Sequence, residues 1–300
     1  MKLVPIVAVQ GGLGNQLFQW FYAHGLLNTP NFNLYTKYPE RASVSLMREF
    51  GLAPLVENCS HISRIFEEPD RPTKVDLIPQ VLDRIWRVKM LARPLRALGF
   101  FQGDFATSSK MQKSRPERII YVNGYFQNWI FPNKQQQWVE AELLPVLKDL
   151  SSELSKKHGL SGSYTVIHVR RGDYRPDNNP LAWMGCLADE FFIRCAKEHS
   201  SNRIILLAEH KEEVQELVAA LQPHLVLDSK STTPWETLAI MSLATTFIGS
   251  NSSLSWWGAW VASISGASTY LPSRWDVKGL FNSADFLFPK CNPYSPIWES

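Results

Sequence analysis

A chain of 300 residues exceeds the usual reach of one hydrophobic core, so two domains of about 150 residues each are expected. With 45% hydrophobic, 20% charged and 12% aromatic residues, it has the composition of an ordinary globular protein, which excludes disordered, collagenous and disulfide-scaffold chains. The formal net charge of +3, from 31 basic and 28 acidic residues, lacks the domain-wide basic excess of nucleic-acid binders; no nucleic-acid partner is expected, whereas an anionic small ligand needs only a local cluster.

In chain order, residues 1–9 hold one lysine and a short apolar run with Pro5, without the longer apolar region and cleavage site of a signal peptide, and read as a first strand over residues 4–9. That strand runs into Gln10-Gly11-Gly12-Leu13-Gly14-Asn15-Gln16, after which Leu17, Phe18, Phe21 and Tyr22 recur at helical spacing. Residues 28–118 are rich in proline and short apolar runs and carry no clear period. Within them, residues 84–101 interleave Arg84, Arg87, Lys89, Arg93 and Arg96 with apolar side chains and contain no acid. Such a segment either lies on an anionic membrane surface or packs its apolar side on the core and leaves a solvated basic face.

A long helix is expected over residues 134–158, and the polar stretch 151–163 places the domain boundary there, giving domains 1–158 and 159–300. Beyond it the pattern sharpens into strands over 164–169, 203–207, 225–227, 246–248 and 269–271, alternating with helices over 211–221, 235–244 and 252–262. Short buried strands alternating with helices define an α/β fold with a parallel, doubly wound sheet, whose ligands bind at the carboxyl ends of the strands. The four cysteines, Cys59, Cys186, Cys195 and Cys291, are scattered, with no CxxC pair and no metal-ligand spacing, as in reduced cytoplasmic proteins. No stretch approaches the roughly 18 to 20 apolar residues of a spanning helix.

Three features follow strand ends and suit an anion. The glycine turn at Gly11, Gly12 and Gly14 permits close backbone approach and precedes a helix N-terminus, although a tight turn alone would also need glycine. In His168-Val169-Arg170-Arg171-Gly172-Asp173, strand alternation puts His168 and Arg170 on one face. An arginine fork there could hold the β-phosphate of a sugar nucleotide and stabilise the charge that grows on it as the sugar leaves. For Arg171 the structural alternative is an ion pair with Asp173 closing the turn, and for His168 it is a satisfied core histidine. Finally, Asn251, Ser252 and Ser253, at a strand-to-helix junction, can cap the helix or receive a diphosphate, while Trp256, Trp257 and Trp260 have core spacing. No DxD-like acidic pair, GxxxxGK[ST] loop or GxSxG elbow is present.

Taken together, the glycine turn, Gly124-Tyr125-Phe126-Gln127, the segment from His168 to Tyr174 and the segment from Ser250 to Trp260 resemble, in order and over residues 10–260, family 11 of the glycosyltransferases, the α-1,2-fucosyltransferases. The resemblance implies a GT-B fold, two Rossmann-like domains facing a central cleft. It implies inverting transfer of L-fucose from GDP-β-L-fucose to a hydroxyl of a galactose-containing glycan or lipid-linked oligosaccharide, without a metal cofactor. On it, Arg170 holds the β-phosphate, Arg171 assists, His168 lies near the nucleotide, and Asn251, Ser252 and Ser253 receive the diphosphate. Gly14 and Asn15 reach the donor from the other domain, and Tyr125 and Gln127 face the acceptor.

Asp173 is the nearest acid for a catalytic base, with Asp177 and Glu209 as rivals. The family commonly has Phe-Ser-Asp-Asp at a strand end, where this chain has Leu207-Ala208-Glu209-His210. One acid is kept for guanine and one is replaced by His210, which leaves another sugar nucleotide open. A non-catalytic nucleotide-sugar or glycan-binding protein is the reading from a different class. A cytoplasmic enzyme, peripheral on the inner membrane face, is the setting these features imply.

Overall fold

The structure, a computed structural model, describes residues 5–28, 32–36, 74–103, 116–175, 181–200 and 203–299. The chain divides into two compact units, Met1–Gln136 and Gln137–Ser300.

In the first unit, strands β1 (Ile6–Val9), β2 (Asn33–Thr36), β3 (Phe101–Gln102) and β4 (Tyr121–Val122) form a wholly parallel sheet in the order β2-β1-β4-β3. Ile6, Val7, Ala8 and Val9 are all buried, the continuous apolar run expected where helices cover both faces of a parallel strand. Helix α1 (Leu13–Leu27) follows, apolar on nearly every side and correspondingly buried, and ends at Asn28 in the left-handed conformation. Helices α2 (Lys74–Arg87) and α3 (Lys89–Ala97) are separated by Val88, whose extended backbone breaks the helix between them. Trp86 and Ala92 pack against Ile6, Ala8, Phe101 and Tyr121.

In the second unit, strands β5 (Tyr164–His168), β6 (Arg203–Leu207), β7 (Leu225–Leu227), β8 (Ala244–Gly249), β9 (Ser268–Pro272) and β10 (Cys291–Tyr294) are all parallel, in the order β10-β9-β8-β5-β6-β7. The chain winds outward from β5 to β7, returns to the other side of β5 and winds outward again to β10. The order therefore reverses between β5 and β8, and a doubly wound sheet opens its ligand crevice at the carboxyl ends beside that point. Helices α5 (Asp189–His199) and α6 (Gln215–Leu221) bury Phe191, Phe192 and Leu217 against Ile167, Leu206 and Ile248. On the opposite face lies α8 (Ser253–Ile264), since its Ser255 bonds His168, which alternation turns away from Ile167. Helices α4 (Leu144–His158) and α7 (Pro234–Met241) pack on one another, and α7 packs on α8. At the last contact a Cβ on Gly258 would stand 2.3 Å from the Met241 sulfur, so glycine sets the approach of the two helices.

The division between Gln136 and Gln137 corrects the expected boundary at residue 158. Leu147, Ser151 and Leu154 of α4 are buried, so this helix is part of the second unit's core. The polar stretch is its C-terminal turn, closed by Gly159 at φ 63°, not a linker. Pro145 cannot donate to the helical ladder, and Val139–Leu143 just before it widens into a π-helix. Helix α5 and strand β10 were not foreseen. The thiols of Cys186, Cys195 and Cys291 are free, and Cys59 lies outside the described residues.

Candidate active site

A cavity of about 470 Å³ opens at the carboxyl ends of β5, β6 and β7, where the winding of the second sheet predicts a ligand. From β5 come His168 and Arg170, from the turn after β6 comes Glu209, and from the loop after β7 come Ser229, Lys230, Ser231, Thr232 and Thr233; Glu236 and Thr237 of α7 and Leu254 of α8 complete the wall.

Arg170 is about a third exposed, and its Nη1 lies 3.2 Å from Glu209 Oε2. A Cβ on Gly172, at φ 20°, would stand 2.1 Å from that same Glu209 oxygen. The glycine two residues after Arg170 therefore leaves room for the carboxylate that braces the guanidinium. His168 is buried, and its Nδ1 lies 2.6 Å from Ser255 Oγ, which also meets Ser250 Oγ at 3.1 Å. Burial first, and Arg170 second, lower its pKa to about 3, so the imidazole is neutral.

Sequence reasoning passed over the hydroxyl-rich loop at Ser229–Thr233. Ser229 donates from both N and Oγ to the Glu209 carbonyl at 3.1 and 2.7 Å, while Asp228 Oδ1 accepts from Ser231 N and Oγ at 3.1 and 2.7 Å. Thr233 then caps α7 in a reciprocal capping box, with Thr233 N to Glu236 Oε2 at 2.7 Å and Glu236 N to Thr233 Oγ1 at 3.2 Å. The signal was present: a Ser/Thr run before Pro234, with Thr and Glu three residues apart.

Several expected donor contacts need correction. Arg171 is only 4% exposed; its guanidinium pairs with Asp189, meets Glu299 at 3.1 Å and donates to the Glu213 carbonyl. It belongs to the framework joining β5, α5 and the C-terminal segment. The Asn251 side chain is fully buried and donates to the carbonyls of Met184, Gly185 and Trp275 at 3.1 to 3.2 Å, which ties two other segments to its own. Ser252 spends its hydroxyl on Leu254 N as the α8 cap, and Ser253, half-buried, does not line the cavity. His210 is exposed and outside the lining as well. Trp256, Trp257 and Trp260 are core, as their spacing predicts. Asp173 lies in the turn Gly172–Tyr174 with its side chain outside the described residues, and Asp177 lies wholly outside them. Among the described residues no group of three or more His, Cys, Asp or Glu is gathered that could hold a metal ion.

In the first unit, Gly11 at φ 78° lets the Asn15 side chain fold back, since a Cβ there would stand 2.4 Å from Asn15 Nδ2. Asn15 Oδ1 accepts from Gln127 Nε2, which links the glycine turn to the Gly124–Gln127 motif, and Gly14 is buried in the first turn of α1. A second cavity, of about 380 Å³, lies at the carboxyl ends of β1 and β4. Tyr125 lines it, beside Tyr35, Asp83, Trp86, Arg87 and Asn123.

Two α/β units, each on its own parallel sheet, the second doubly wound with Arg170 beside its switch point and with Lys230 and a run of hydroxyls in the loop after β7, make up an architecture of the GT-B class. The chain belongs to glycosyl transferase family 11, whose profile matches residues 6–276. It is similar to an α-1,2-colitosyltransferase of Escherichia coli, 23% identical over 94% of this chain and 96% of that one. A shorter stretch, 37% of this chain and 38% of the relative, is 26% identical to the O-antigen biosynthesis glycosyltransferase WbnK of Escherichia coli. Among solved structures, NodZ α-1,6-fucosyltransferase co-crystallized with GDP is similar at a TM-score of 0.44 and 13% identity, over 86% of this chain and 92% of that one.

Proposed function

We propose that this glycosyltransferase is an inverting, metal-independent α-1,2-fucosyltransferase that moves L-fucose from GDP-β-L-fucose to O-2 of a galactoside. The observation that carries the reading is Arg170, braced by Glu209 at the carboxyl end of β5 in a cavity also lined by Lys230 and four Ser and Thr hydroxyls from positions 229 to 233. As the acceptor hydroxyl oxygen attacks the anomeric carbon and gives up its proton to a carboxylate or to solvent, the C–O bond to the β-phosphate breaks and charge grows on that phosphate. A guanidinium fork fixed beforehand stabilises this charge more in the transition state than in the ground state. The β-phosphate and the guanine edge sit at opposite ends of GDP. Glu209, being paired with Arg170, is therefore better suited to fix the guanidinium than to read the base. Neutral His168 adds a hydrogen-bonding group without a second positive charge.

A panel of sugar nucleotides, assayed for acceptor-dependent nucleotide release with and without a chelator, tests the reading. Transfer from GDP-fucose to galactosides that persists in chelator is expected. Activity only with a nucleotide-linked colitose would favour the second reading, which the relative matched over nearly the whole chain supports.

The same proposal extends to a lipid-borne acceptor. Val81, Val88, Met90, Leu91 and Leu98 are all exposed on α2, α3 and their ends, alongside exposed Arg84 and Arg93, while Trp86 and Ala92 already fill the core contact. Apolar residues thus point outward as well as inward, and a basic interfacial surface suits anionic lipid. No helix of the described residues is long and apolar enough to cross a membrane. Flotation with anionic but not neutral liposomes is expected, and equal recovery from both would reject this contact.

A further inference from the structure

The cavity of the first unit holds a largely enclosed carboxylate with no part in donor chemistry. Asp83, on α2, accepts from Tyr121 Oη at 3.2 Å and from Arg87 Nε at 2.9 Å, and Tyr121 Oη accepts in turn from Asn123 Nδ2 at 3.2 Å. The two donors to Asp83 hold the carboxylate in one orientation, and Asn123 fixes the tyrosine hydroxyl. The two donors use two of the carboxylate's roughly four acceptor positions. An ion pair four residues apart on a helix forms readily on an open surface, yet here the acid is only 13% exposed against 51% for Arg87, and a fully buried tyrosine hydroxyl is aimed at it. Burial raises the Asp83 pKa, with the Tyr121 hydrogen bond opposing, and burial likewise raises that of Tyr121. A carboxylate held mostly away from solvent, fixed by two donors and lining a cavity, is a candidate for binding a ligand there.

We propose that this cavity receives one pyranose ring of the acceptor, with Asp83 accepting hydrogen bonds from two neighbouring sugar hydroxyls. Arg87 and Asn123 supply donors, and Tyr35 and Tyr125 supply aromatic walls for the ring's C–H face. The position at the carboxyl ends of β1 and β4 is where a parallel sheet offers ligands their place. A polyhydroxylated ring fits this donor and acceptor set better than an anion does, because the innermost group is itself a carboxylate. The inference rests on the glycosyltransferase reading for its ligand and names the side chains that would select it.

The test is saturation-transfer NMR of a galactoside panel, lactose included, on the full chain and on Asp83→Asn, with calorimetric titration of GDP on both. At least a tenfold weaker glycan affinity in D83N with GDP affinity retained is expected. A D83N chain that binds the panel as the wild type does, or a wild type that binds no member of it, overturns the assignment. Should D83N lose its cooperative melt, Asn123→Ala removes one cavity donor without stranding a charge, and unchanged glycan affinity there overturns the proposal equally. Glycan binding that depends on Asp83 in a chain that transfers no sugar from any nucleotide would sink the donor reading and leave this site standing.

Discussion

Adjacent arginines at the end of β5 should fail in opposite ways when each is changed to glutamine. Arg171 is almost wholly enclosed and holds Asp189, Glu299 and the Glu213 carbonyl together. Removing one member of a buried ion pair leaves the others uncompensated and costs about 3 kcal/mol or more. At roughly 2 to 4 °C per kcal/mol for a unit of this size, Arg171→Gln should melt about 10 °C lower. Arg170, by contrast, is a third exposed and has a partly exposed carboxylate partner, an interaction worth at most about 1 kcal/mol. Arg170→Gln should therefore melt within about 4 °C of the wild type while turnover falls about 100- to 1,000-fold, the usual loss when one donor to a developing anion is removed. Calorimetric melts and single-turnover transfer, measured on both variants, check the pair. A stable Arg171→Gln chain that no longer binds GDP would show that Arg171 contacts the donor after all.

Three further outcomes follow from the same geometry. The folded pKa of His168, about 3, lies below its ordinary 6.5, so the unfolded chain takes up the proton first and stability is lost as pH falls from 6.5 toward 3. The slope contributed is about 1.4 kcal/mol per pH unit, and urea unfolding of His168→Gln should lack that increment; an identical pH dependence in both chains would refute the burial argument. Gly172→Ala pushes on the far end of a flexible side chain, so stability should fall by only about 1 kcal/mol, whereas the displaced Glu209 should loosen Arg170 and raise the donor KM about tenfold. Thr233→Ala removes the α7 cap, and a loss of about 1 kcal/mol in chemical denaturation is expected, with Thr233→Ser restoring it.

The second sheet was legible because its strands are short, apolar and separated by helices with their own period: Arg203–Leu207 and Leu225–Leu227 are the strands that the pattern marks. Helix α5 carries a signal of its own, Phe191, Phe192, Cys195 and Ala196 recurring on one face, but it spans only three turns. The boundary at residue 158 was misplaced for a physical reason. A polar composition describes equally a linker and the exposed side of a helix, and only the burial of Leu147 and Leu154 separates the two.

The candidate site divides along the same line. Residues that work through their own local backbone, such as Gly11 and the Thr233 cap, can be read from short spacing, since the constraint they meet lies within a few positions. Arg170 and Arg171 cannot be told apart in that way. They are neighbours of the same type, and alternation at a strand end sends one toward the crevice and the other into the fold, where its fate depends on Asp189 and Glu299 far along the chain. Asp83 is the extreme case. Its cavity is assembled from the ends of β1 and β4, from Tyr35 on β2 and from one side of α2, elements spread over more than a hundred positions whose proximity exists only once the parallel sheet has formed. In such a sheet the ligand wall is non-local, because it is drawn from the carboxyl ends of several strands and the loops after them. The chemistry of the site is therefore visible in the sequence as isolated strand-end motifs, and its specificity is visible only in the pairing of strands.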